Sequence, residues 1–146
     1  MPALPPADSR TGRPLEVVLV VDIANVMGSH PDGWWRDRAG AATRLLHLLE
    51  PVNGAEVSLP EKAGPARITR ICAVLEGAAR PALGPEGVVV LRAERDGDSA
   101  IVAEAERLTA AHEVPLVVTA DRGLRDRLSA EAVVAGPGWL NRLIGR

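Results

Sequence analysis

Three aspartates stand where apolar runs meet turns or helix starts. Asp22 follows VVLVV, Asp98 follows the run GVVVL by a short polar segment, and Asp121 follows PLVVTA. If the three runs are strands of one parallel sheet, helical crossovers put all three carboxylates at its carboxyl edge, where open α/β sheets bind ligands. Carboxylates gathered within ~5 Å repel by roughly 3 kcal/mol per pair at an effective dielectric of about 20. Such a cluster calls for a cation. Hard oxygen donors with few protein ligands suit Mg²⁺ or Mn²⁺, with water and a substrate phosphate completing the shell. A metal held there lowers the pKa of bound water and neutralises charge on a phosphoryl oxygen. Asn25, three residues after Asp22, is a candidate for orienting that water or a ligating carboxylate. The plainer role of Asp98 and Asp121 is helix capping. Asp22 is harder to dismiss, since a buried strand ending in an unpaired acid needs a cause.

The elements that position these residues follow from periodicity. Val17–Val21 is β-branched and apolar on both alternating faces, the pattern of a central parallel strand. Val26 to Trp34 reads as a Gly/Pro turn cluster. A helix follows over Trp35–Leu49, with an apolar stripe of Trp35, Ala39, Ala42, Leu45, Leu46 and Leu49. Val52–Pro65 reads as a loop. Further strands are expected at Ile68–Leu75, Gly87–Leu91, from Pro115, and at Ala132–Ala135. A helix with Asp98 at its N-cap carries Ile101, Val102, Ala105 and Leu108. Asp121 caps another, bearing Leu124 and Leu128, and a last helix turns Trp139, Leu143 and Ile144 inward. Strands alternating with helices predict a three-layer α/β sandwich with a mostly parallel five-stranded sheet.

The chain has 146 residues, 47% hydrophobic and 25% charged, with net charge −2. That is ordinary for one globular domain. Residues 1–14, rich in Pro and polar groups, read as a disordered lead-in to a cytoplasmic protein, and 15–146 as a single domain. No apolar run approaches the ~18 residues of a membrane span. Cys72 is the only cysteine and reads as an inert buried thiol. Lys62 is the only lysine, so the cations are nearly all Arg, which suits phosphate forks. Trp34, with Arg36 and Arg38 beside it, is a candidate lip for base stacking and phosphate contact, and Trp35 is assigned to the core. Arg122, next to Asp121, is placed to meet a phosphate or the carboxylate. His30, His47 and His112 lack metal-ligand spacing, which argues against zinc. The absence of G-x-x-x-x-G-K-S/T and G-x-S-x-G argues against NTPases and α/β hydrolases. A haloacid-dehalogenase-like phosphatase would need a second acid where Ala24 stands.

Taken in order, VVDIAN, DGDSAIV and VVTADRGL resemble the PIN-like nuclease superfamily, and within it the bacterial NYN domains. Asp22 with Asn25 is similar to the family's D-x-x-N, Asp98 with Ile101 to its D-x-x-I, and Thr119 with Asp121 to its T-x-D. HPDGWWRDRAG also resembles an actinobacterial branch. The resemblance implies a sheet ordered 3-2-1-4-5 and a metal-dependent endoribonuclease acting on single-stranded or structured RNA. Asp22, Asp98 and Asp121 would be its metal carboxylates. It further implies a homodimer and no small organic cofactor. Two departures stand out. Ile23 replaces a small residue, and Ser99 stands where relatives often carry a second acid. Asp96 is the candidate substitute ligand. The alternative is a catalytically degenerate module of the same family that binds RNA or protein without cutting.

Overall fold

The computed structural model describes residues 13–146. The lead-in expected over 1–14 therefore lies outside the described residues, apart from Arg13 and Pro14. The first strand, β1 (Leu15–Asp22), is central. It pairs in parallel with β3 (Gly64–Leu75) on one side and β5 (Pro115–Val118) on the other. Beyond β5 lies β6 (Val133–Ala135), and beyond β3 lies β4 (Val89–Arg92), both parallel.

The sixth strand, β2 (Glu56–Leu59), runs antiparallel to the start of β3. The sheet is thus six-stranded and mixed, though mostly parallel, rather than five-stranded. The segment expected to be a loop contains this hairpin. Val57 and Leu59 are buried and alternate with exposed Glu56 and Ser58. That two-residue period is short and lies between Gly54 and Pro60, so turn residues mask it.

Among the described residues five α-helices cover the sheet: α1 (Ile23–Gly28), α2 (Arg38–Leu49), α3 (Gly97–Ala110), α4 (Arg122–Arg127) and α5 (Pro137–Ile144). They divide between two cores. Val17, Leu19 and Val21 pack with buried residues of α1, α2 and α5. Val18 and Val20 pack with Ile101, Val102, Ala105 and Leu108 of α3 and Leu124 of α4. This gives helix, sheet and helix layers. The alternation of β1 between two apolar environments is why its sequence reads as an unbroken apolar run.

Several local expectations need correction. The turn after β1 is helical through Gly28, because Ile23, Val26 and Met27 have core positions to fill. The second helix starts at Arg38, not Trp35. Asp37 accepts from the Gly40 amide at 2.9 Å and sets its N-terminus, leaving Trp34–Arg36 as a 3-10 turn. Trp35 is consequently 51% exposed, and Trp34 is the ring that packs against the core. In α5 Pro137 and Leu140 are buried and Trp139 and Ile144 pack against the first core, while Leu143 is exposed. Among the described residues, no helix is long and apolar enough to cross a membrane.

Candidate active site at the carboxyl edge of the sheet

Strand alternation decides which side chains meet. Val18 and Val20 face α3 and α4, so Asp22, next in the same parity, faces them too. Val74 lies in that core and aims Glu76 the same way. Val117 does so for Thr119. Asp22 is level with Val74 across the β1–β3 ladder. The edge between α3 and α4 therefore gathers polar ends from three adjacent strands.

Hydrogen bonds hold the group together. Thr119 is fully buried, and its Oγ1 donates to Asp22 Oδ2 at 2.9 Å. The same oxygen accepts from the Asp121 amide at 3.1 Å. Asp22 Oδ1 accepts from the Asn25 amide at 3.3 Å, so Asp22 is both the end of a strand and the cap of α1. Asn25 Oδ1 accepts from the Ala120 amide at 2.8 Å. This oxygen ties α1 to the β5–α4 turn, while the Asn25 amide holds the Asp22 carboxylate. Arg125 donates through Nε and Nη2 to the Thr119 carbonyl at 3.2 and 2.9 Å, fixing the turn from the other side.

The acids fall into different roles. Asp121 caps α4 through the Leu124 amide at 2.9 Å. At α3 the cap is Asp96, not Asp98. Asp96 accepts from the Ser99 amide at 2.7 Å and the Ser99 hydroxyl at 3.2 Å, which holds its carboxyl below the usual range. It is exposed and engaged as a cap. Asp98 is left in the first turn without a capping task. Its carboxyl is pushed up by burial, then by the charges of Asp121, Glu76 and Asp96, with Arg127 opposing. Asp22 is pushed up to about 6, first by burial. The hydroxyl of Thr119 and the amide of Asn25 pull it down, while Asp98 and Glu76 push it up.

Asp22, Asp98 and Asp121 thus belong to one electrostatic group, and Glu76 joins it. Glu76 was not anticipated from the sequence. It accepts from the Gly97 amide at 2.5 Å, linking the end of β3 to the start of α3. Its signal was available, as the first residue after an apolar strand and in parity with Val74. Arg127 was also missed. It reaches Ser99 Oγ at 3.4 Å, and its charge pulls the Asp96 and Asp98 carboxyls down.

Carboxylate oxygens and buried like charges suit a divalent cation. Among the described residues, no three acidic, His or Cys side chains close around one point as a complete cage. Asp22 and Asp98, both pushed up by burial and neighbouring acids, are the carboxylates that would hold such an ion.

Trp34, Arg36 and Arg38 form a separate group at the α1–α2 connection. The Arg38 guanidinium lies 5.2 Å from the centre of the Trp34 ring, and Trp35 meets that ring edge-on at 5.8 Å. One face of Trp34 is thereby occupied, and Trp35 is the more accessible indole. No hydrogen bond, ion pair or ring contact among the described residues joins this group to the carboxylates. Arg122 is exposed beside Asp121. Cys72 is buried and its thiol is pushed up to about 11 by burial, in keeping with an inert core residue.

No protein-family model matches the chain, and neither a curated protein nor a solved structure matches it.

Proposed function

We propose that this chain is a metal-dependent endoribonuclease of the PIN-like, NYN kind. The observation that carries the reading is the convergence of Asp22, Glu76, Asp98 and Asp121 at one sheet edge, where burial and mutual repulsion hold the Asp22 and Asp98 carboxyls above their ordinary range. A fold gathers like charges in this way at a cost that a cation offsets. The order of the parallel strands, β4-β3-β1-β5-β6, and the Asp22–Thr119–Asp121 linkage also support it.

Mg²⁺ or Mn²⁺ bound here would acidify a water molecule and neutralise charge on the scissile phosphate. Asp22 and Asp98 are the proposed ligands, with Asp121 and Glu76 supplying further negative charge. Thr119 and the Asn25 amide orient Asp22 so that its position survives ionisation. Arg122 and Arg127 flank the acids from α4 and are available to phosphates on either side of the cut.

The test is cleavage of labelled single-stranded RNA with Mn²⁺. Products are expected from the native chain, lost with a chelator and lost in Asp22→Asn with the circular dichroism unchanged. Cleavage by Asp22→Asn at the native rate would overturn the reading.

One observation favours a second reading, a catalytically degenerate binding module. Ser99 occupies a position where relatives often carry an acid, and Asp96, the nearest substitute, is engaged as a cap. That reading expects RNA to be retained on a filter with no metal-dependent products.

A further inference from the structure

Beside the carboxylates, on the other face of the same sheet edge, lies an open hollow of about 580 Å³ lined by Gly77, Ala78, Arg80, Pro81 and Arg92. Resting on the ribonuclease reading, we propose that this hollow holds a backbone phosphate of the substrate strand away from the scissile bond. The substrate would then be a polymer and not a mononucleotide.

Two arginines and no acid line the hollow. Of the described arginines, Arg67, Arg70, Arg107 and Arg146 are ion-paired with Glu16, Glu113, Glu104 and Asp32, and several others are not. Neither Arg80 nor Arg92 has a carboxylate partner among the described residues. Arg92 is fixed in place, since its Nη1 donates to the carbonyls of Arg80 and Ala82, the latter at 2.8 Å. Its remaining nitrogens are free to fork onto a phosphate. The Arg80 side chain is exposed and makes no described hydrogen bond. Small residues on the 3-10 turn Gly77–Ala79 let a ligand approach the backbone closely.

Register gives the relation to the acids. Arg92 is level with Leu75 in the β3–β4 ladder, and Leu75 belongs to the core on the α1, α2 and α5 face. Asp22 and Glu76 lie on the α3 and α4 face. β4 and β1 flank β3, so the two sites are about 10 Å apart along the edge at ordinary strand spacing. A ligand touching both must cross the edge, with cations on one side and the metal carboxylates on the other. A nucleic acid strand has repeating phosphates to do this.

The test is fluorescence anisotropy with a short labelled oligouridylate, in chelator so that no cleavage occurs, over a range of salt. Arg80→Ala is expected to weaken binding about three- to tenfold and to lower the slope of log affinity against log salt by about 0.7, the loss of one phosphate contact on a single strand. Arg80→Glu is expected to weaken it further, and Arg142→Ala on α5 to leave it unchanged. If the native chain binds and Arg80→Ala matches it in affinity and slope, the hollow is overturned while the ribonuclease reading stands. No binding by the native chain in chelator would overturn the hollow as a phosphate site, and cleavage with Mn²⁺ would still decide the ribonuclease reading. Displacement of the oligonucleotide by an equal concentration of uridine monophosphate would identify a free-nucleotide site and overturn the polymer subsite.

Discussion

Thr119 Oγ1 joins Asp22 to the Asp121 backbone, giving one bond and taking another. Thr119→Val keeps the shape and removes both bonds, leaving a buried carboxylate and an amide short of partners. It is expected to cost about 1–3 kcal/mol in urea denaturation. It should also raise the Asp22 pKa, since the hydroxyl favours the ionised form. Asp22 itself makes stability depend on pH. Its folded-state pKa, about 6, lies above its ordinary 3.8, so the folded chain holds the proton more tightly than the unfolded chain. The contribution is present below pH 3.8 and is lost as pH rises through 6, by about 3 kcal/mol in all. Asp22→Asn does not titrate, so without metal its stability relative to the native chain is expected to increase between pH 4 and 8; a constant gap would contradict the assignment. At this scale the sequence revealed Asp22, Asp98 and Asp121 through their positions after apolar runs. Glu76 carries the same positional signal, as the first residue after an apolar strand, but belongs to no recognised motif. The sequence also inverted the two tryptophans, because a stripe drawn through Trp35 ignores the helix start that Asp37 sets.

Helix starts decide what each acid is free to do. With Asp96 as the cap of α3, Asp98 moves into the first turn, where the helix dipole favours its charge and no backbone amide claims its oxygens. A sequence pattern does not locate that boundary to within two residues, and so does not tell Asp96 from Asp98. Gly97 matters for the same junction. A Cβ there would lie 2.9 Å from Glu76 Oε2 and 3.0 Å from its carboxyl carbon. Gly97→Ala is expected to displace Glu76 and weaken Mn²⁺ binding about tenfold, the usual scale for a supporting group. The gain in helix propensity should keep the change in stability within about 1 kcal/mol. Mn²⁺ affinity unchanged in this variant would remove Glu76 from the site. The strands with long apolar runs were legible, whereas β2 and α1, short and surrounded by Gly and Pro, depend on tertiary pairing that a local pattern does not carry.

The two cores give the molecule a division of labour. The α1, α2 and α5 layer supports one face, and the α3 and α4 layer carries Asp98 and Asp121 on the other. Leu46→Ala in the first core and Ile101→Ala in the second both remove fully buried side chains, and each is expected to cost about 2–5 kcal/mol. Only Ile101→Ala should also reduce the Mn²⁺ affinity of the folded protein, because α3 positions Asp98. Equal metal affinities in the two variants would contradict that division. The layered α/β architecture was legible because the central strands β1 and β5 are apolar on both faces. The sidedness of the acids follows from strand parity.

The central claim is that the carboxyl edge binds a divalent cation that substrate helps to hold. Its most direct test is calorimetric titration of Mn²⁺ into the native chain and into Asp22→Asn, with and without a short non-cleavable RNA. The account predicts binding to the native chain that RNA strengthens and that Asp22→Asn abolishes. No binding to the native chain under either condition, or equal binding by the variant, would contradict it.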